Sequence, residues 1–248
     1  MDYLILFCAT VLAVVSVELF RRRITETAID VLSAFTGAFV LGILVFHMLP
    51  EVYSGGLSPL RTGLCIMTGL LIQTGLDFFT RGVDHGHAHT PHSGHTDQGA
   101  LTLGMFISLA LHTFLESTPI LAGQHHGHAH THASLQTEGL SPLLISIALH
   151  TIPMAIVLYL LILRRVHSRI KAWGAMTLFA LAGPLGILAG ARLEFIHHYY
   201  SAALAVVVGI LLHVSSVMLF DCETALYGKT RKLAVIVLGF AAAAAVAL

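Results

Sequence analysis

Charge is scarce in this chain. Only 10% of its 248 residues are Asp, Glu, Lys or Arg, while 56% are hydrophobic; soluble domains carry about 25% charged residues. So little charge cannot cover a water-soluble core of this size, which excludes an ordinary soluble domain and makes lipid the expected solvent. The 13 basic and 13 acidic residues cancel, so no net field recruits nucleic acid or an acidic partner. Cysteine is scarce too. Cys8, Cys65 and Cys222 lie far apart, within or beside apolar runs, which excludes a disulfide framework and a zinc-knuckle spacing.

In place of charge the chain has long apolar runs, with mean hydropathy +0.84. Runs of roughly 16 to 23 residues lie near 3–20, 29–50, 59–80, 100–122, 140–163, 172–191, 200–220 and 233–248. Each is long enough, or nearly so, to cross a hydrocarbon core of ~30 Å. The expected fold is an all-α polytopic membrane protein of eight transmembrane helices, forming a single domain over 1–248. The last run is short and is expected to tilt little or to thin the bilayer. The first is preceded by Asp2 and followed by Arg21, Arg22 and Arg23. A signal peptide has the reverse polarity, so this run is read as a retained helix.

The basic residues orient the array. With the N-terminus outside, the inner loops hold Arg21, Arg22, Arg23, Arg81, Arg164, Arg165, Arg169, Lys171, Lys229, Arg231 and Lys232. The outer loops hold Arg61 and Arg192. This asymmetry follows the positive-inside rule. It predicts both termini outside the cytoplasm and residence in the plasma (cytoplasmic or inner) membrane.

Histidine is abundant, and it is patterned. The hexapeptide HGHAHT occurs at 85–90 and again at 126–131. The first copy falls in the inner loop 82–99 and the second in the outer loop 123–139. One loop holds His85, His87, His89, His92 and His95; the other holds His125, His126, His128, His130 and His132. Spaced two apart among Gly, Ala and Thr, these residues read as flexible chelators that gather metal on either face.

An ionisable group in mid-bilayer costs a few kcal/mol on insertion scales and raises a functional hypothesis. Glu18 with Arg22 and Asp77 with Arg81 are spaced to pair one turn apart near the inner boundary, and are expected to be structural. The fourth run differs. "LALHTFLESTPI" sets His112 and Glu116 on one helical face at mid-membrane, and "IALHTIPMAI" in the fifth run sets His150 at matching depth. Pro119 and Pro153 follow three residues behind Glu116 and His150, freeing the carbonyls of Leu115 and Leu149. "VFHMLPEV" places His47 one turn from the outer end of the second run.

Two or three histidines and one carboxylate suit a divalent transition metal, Zn²⁺ above all, and suit Mg²⁺ or Ca²⁺ poorly. Met154, one turn beyond His150, offers a further soft donor. The plain alternative for His112 and Glu116 is an interhelical hydrogen-bonded pair, and for His47 an entrance group. His213 in "GILLHVSSVM" reads as a hydrogen-bonded packing residue.

These residues resemble the ZIP (Zrt-, Irt-like) family of divalent-metal transporters. The resemblance covers essentially the whole chain. It rests on His112-x-x-x-Glu116, His150-x-x-Pro153, "HMLPE" in the second run and "GPLGILAG" in the sixth. It implies an inverted repeat of helices one to three with six to eight around a central pair, four and five, a 3+2+3 arrangement. It also implies a primary transport site of His47, His112, Glu116 and His150, and inward movement of the metal.

The family's second-metal donors correspond here to Thr113, Thr151, Met154 and Gly183. None carries a charge or an amide, which argues for a single metal. The expected function is therefore an importer of Zn²⁺, with Fe²⁺, Cd²⁺ and Ni²⁺ left open, rather than an enzyme. It needs no cofactor besides its cargo; its partner is the bilayer, and a homodimer is left open. The rivals are a membrane-embedded metallohydrolase, a cation-diffusion-type exporter and a metal sensor without flux.

Overall fold

A computed structural model describes residues 1–20, 25–80, 98–122, 141–220 and 229–247. These residues are overwhelmingly helical, with no strand among them. The helices are α1 (Asp2–Phe20), α2 (Glu26–Ile43), α3 (Leu49–Ser54), α4 (Pro59–Thr80), α5 (Gln98–Ser117), α6 (Pro119–Ala122), α7 (Pro142–Val166), α8 (Arg169–Ala180), α9 (Ala182–Arg192), α10 (Glu194–His198), α11 (Tyr200–Phe220) and α12 (Lys229–Ala247). A π-helical turn, Leu44–Met48, joins α2 to α3. Among the described residues, seven helical segments are long and apolar enough to cross a membrane. The run expected at 59–80 is also helical, as α4; it carries Arg61, Gln73 and Asp77 and is not among those seven.

Local chemistry sets the helix ends. The Thr25 and Ser141 side chains accept from the backbone N–H of Ala28 and Leu144, satisfying donors the first turn leaves open. At the other end of α7, Arg164 and Arg165 complement the negative pole of the helix dipole. The run expected at 172–191 is two helices, because Pro184 has no N–H for the carbonyl of Ala180. The chain tightens there instead, with the Leu181 N–H on the Leu178 carbonyl at 3.3 Å.

α7 packs on α1, α2, α5 and α8. α5 packs chiefly on α9 and α4, α4 on α11, and α2 on α12 and α11. Glycines permit the closest approaches. A β-carbon at Gly186 or Gly190 of α9 would overlap the carbonyls of Phe114 or Thr118, and one at Gly69 or Gly209 would overlap Val206 or Ile66 across the α4–α11 seam.

The buried apolar side chains form two clusters. One contains Leu6, Leu144, Ile147 and Ile120; the other contains Val14, Val17, Met105, Ile156 and Tyr159. Between them, on the same helices, lie buried polar residues: Thr10 on α1; His112, Thr113, Glu116 and Ser117 on α5; and His150 and Thr151 on α7. A polar layer is thus held between two apolar ones, and its position is where the candidate site forms.

A buried candidate metal centre

The i,i+4 spacing on α5 puts His112 and Glu116 on one face. Their nearest atoms, His112 Nε2 and Glu116 Oε2, are 3.1 Å apart. α7 brings His150 Nε2 to the same carboxylate oxygen, also at 3.1 Å. All three side chains are buried, with at most 1% exposed. The two imidazole rings stand edge to face, their centroids 5.8 Å apart. One potential ligand atom from each residue lies within 4.8 Å of the others.

The second nitrogen of each ring decides what this arrangement can do. His150 Nδ1 lies 3.0 Å from the Ser146 carbonyl. A carbonyl only accepts, so a neutral His150 carries its proton on Nδ1 and leaves Nε2 as a lone pair. His112 Nδ1 lies 2.7 Å from Gln73 Oε1, which imposes the same tautomer. Neither Nε2 atom, nor either oxygen of Glu116, has a hydrogen-bond partner. With both rings neutral, two imidazole lone pairs and a carboxylate converge, and none of these atoms makes a well-directed hydrogen bond.

A buried polar atom left unpartnered costs about 1–3 kcal/mol, and four such atoms side by side are an unfavourable cluster unless a cation joins them. The donor set fits a transition metal. Tetrahedral Zn²⁺ with bonds of 2.0–2.2 Å separates its ligands by about 3.3 Å, close to the 3.1 Å seen here. Three protein ligands leave one coordination position for another group, the arrangement of sites that exchange what they bind. Hard ions such as Ca²⁺ prefer six or more oxygens.

The two prolines differ in their effect. Pro119 ends α5, and the Leu115 carbonyl instead accepts from the Thr118 backbone at 3.3 Å and the Thr118 hydroxyl at 2.8 Å. Pro153 is accommodated within α7.

Not every expected ligand joins this group. His47, on the π-helical turn, is 43% exposed and lies 3.9 Å from Glu51, outside the cluster of three. The extra residue of a π turn rotates the following side chains relative to a regular helix, as often occurs at functional sites. Met154 is partly buried one turn along α7 from His150. Among the second-site positions, the Thr151 hydroxyl donates to the Ile147 carbonyl at 2.7 Å. Gly183 has room for little else, since an added β-carbon would lie 3.0 Å from Leu6. All ten loop histidines, and the Arg22 and Arg81 partners expected for Glu18 and Asp77, lie outside the described residues.

Glu18 accepts from the Tyr159 hydroxyl and lies 3.9 Å from Arg169. His213 is hydrogen-bonded, with Nε2 donating to Asp77 Oδ2 at 2.7 Å. The sequence reading missed Gln73. The available signal was Gln73 and Asp77 one turn apart in the most polar of the long helices.

No model of a known protein family matches this chain, and no curated protein matches it.

Proposed function

We propose that this protein is a membrane carrier for a divalent transition metal, Zn²⁺ first, built on the ZIP plan. One observation carries the reading: inside the helical bundle, two imidazoles and one carboxylate meet in a buried space, with no well-directed hydrogen bond among their facing atoms. Neutral imidazoles and a single negative charge bind a divalent ion without neutralising it fully. Such a site can load and release, as a carrier must.

The helix contacts support the inverted arrangement. Exchanging α1, α2 and α4 with α8–α9, α11 and α12, and α5 with α7, maps the α4–α11 pair onto α12–α2. It also maps α1–α7 onto α9–α5, while α2–α11 and α1–α9 map onto themselves. An inverted repeat of helices produces this pairing, with α4 counted as the third of eight spans. Both termini are then outside, and His47 with Glu51 stands at the outer approach to the centre. The outer histidine loop gathers metal and the inner loop receives it.

A metallohydrolase would need a general base beside its metal-bound water. Among the described residues, Glu116 is the single carboxylate of the cluster and is itself a ligand atom.

Uptake of Zn²⁺ into sealed proteoliposomes containing a fluorescent chelator tests the proposal. Saturable accumulation that requires His112, Glu116 and His150 is expected. Metal binding without flux would replace the carrier with a sensor.

A further inference from the structure

The amide of Gln73, buried at 3% exposure on α4, touches the metal centre from outside it. Its Oε1 lies 2.7 Å from His112 Nδ1, and its Nε2 donates to Asp77 Oδ1 at 2.8 Å. The other Asp77 oxygen accepts from His213 Nε2, on α11, at 2.7 Å. The order of these contacts has a direction. A carboxylate only accepts, so Asp77 turns the NH₂ of Gln73 toward itself and the carbonyl toward His112. That carbonyl also only accepts, so the His112 proton is fixed on Nδ1 and Nε2 is left bare beside Glu116.

We infer that Gln73 is a positioning residue of the metal centre, and that Asp77 and His213 anchor it in a relay that selects the metal-binding tautomer of His112. The inference rests on the reading of His112, Glu116 and His150 as a metal site. The two histidines of that site differ in how their tautomers are held. His150 is set by Ser146 of its own helix, and this survives any rearrangement of its neighbours. His112 depends on two other helices. The α4–α11 seam closes at Gly69 and Gly209, and Gln73 and His213 each lie four residues further along their helices.

Partners that orient a ligating imidazole typically change metal affinity 10–100-fold when removed. α4 and α11 therefore control the strength of the site without supplying a ligand. A second polar tie between α4 and α5, the Ser108 hydroxyl on the Leu76 carbonyl at 2.8 Å, involves no ligand and serves as the control.

The test uses the full-length protein in lipid nanodiscs, with ¹⁵N-labelled histidine. In the metal-free wild type, the His112 resonance (identified by its loss in His112→Ala) should report the Nδ1–H tautomer. Gln73→Leu should release it to a mixture. Gln73→Glu, which keeps an acceptor, should retain it. Titration with Co²⁺, followed by its tetrahedral visible bands, should show binding about 10–100-fold weaker in Gln73→Leu. Gln73→Glu should stay within a few-fold of wild type, and Asp77→Asn should fall between.

If Gln73→Leu matches Ser108→Ala in both tautomer and affinity, the relay is overturned. Wild type that shows the tautomer shift on Gln73→Leu but binds no Co²⁺ would uphold the lock and overturn the metal reading instead.

Discussion

Glu116 of α5 and His150 of α7, separated by a stretch that includes one of the histidine-rich loops, meet at 3.1 Å in the buried interior of the helical bundle. The same carboxylate oxygen is 3.1 Å from His112. Each of the three residues therefore supplies a donor that the other two cannot replace. Substitution of His112, Glu116 or His150 by Ala should reduce metal uptake to background while the protein remains in the membrane. Near-normal transport by any one of them, measured in proteoliposomes at matched protein amounts, contradicts the proposed site.

The charge at this site is carried by one residue. Glu116→Gln keeps the shape and one acceptor oxygen but removes the negative charge. Affinity for Zn²⁺ should fall at least tenfold, corresponding to about 1.4 kcal/mol. Isothermal titration of the purified protein measures it directly. Equal affinity in the two proteins would mean that the imidazoles alone hold the ion.

Acid should inhibit transport. Imidazole binds metal only when neutral, so protons and metal compete for it. Uptake should decline as external pH falls into the acid range, and recover at higher metal concentration. A rate that climbs steadily toward pH 5 would point to proton-driven import in place of competition.

Stoichiometry follows from the same inventory. Two divalent ions a few ångströms apart repel strongly in a medium poorer than water at screening them. Glu116 is the cluster's single anion, and Thr113, Thr151, Met154 and Gly183 add none. One metal is expected at mid-membrane. Two fully occupied anomalous peaks within about 4 Å, the spacing of two-metal sites, would refute this.

Glycine substitutions should divide by position. Gly190→Ala pushes a β-carbon into the Thr118 carbonyl, and Gly186→Ala into that of Phe114. Forcing atoms into a packed seam costs about 1–3 kcal/mol, so both variants should lower the unfolding temperature in detergent. Gly63 and Gly75 of α4 have open space around them. Alanine there should be neutral or stabilising by up to about 1 kcal/mol. Equal effects at all four positions would mean that the α5–α9 contact is not close-packed.

Much of this molecule was already determined in its sequence, for a physical reason. In lipid a chain must satisfy its backbone polar groups internally, so runs of apolar residues become helices with little choice. Accordingly the runs near 59–80 and 200–220 coincide with α4 and α11. The pairing of His112 with Glu116 is equally local, since the helix repeat alone places residues four apart on one face. The break at Leu181 follows from Pro184, although the hydropathy pattern predicted one continuous helix there.

Tertiary structure decided the rest. Which ring nitrogen of His112 carries the proton depends on Gln73, 39 residues away. Asp77 accepts from His213, on another helix. His47 stands apart from the cluster, at a π-helical turn that the sequence pattern does not reveal. These features depend on how closely helices approach and on their rotation about their own axes. Both are set by packing at positions such as Gly69 and Gly209, where the missing side chain matters only once another helix lies against it.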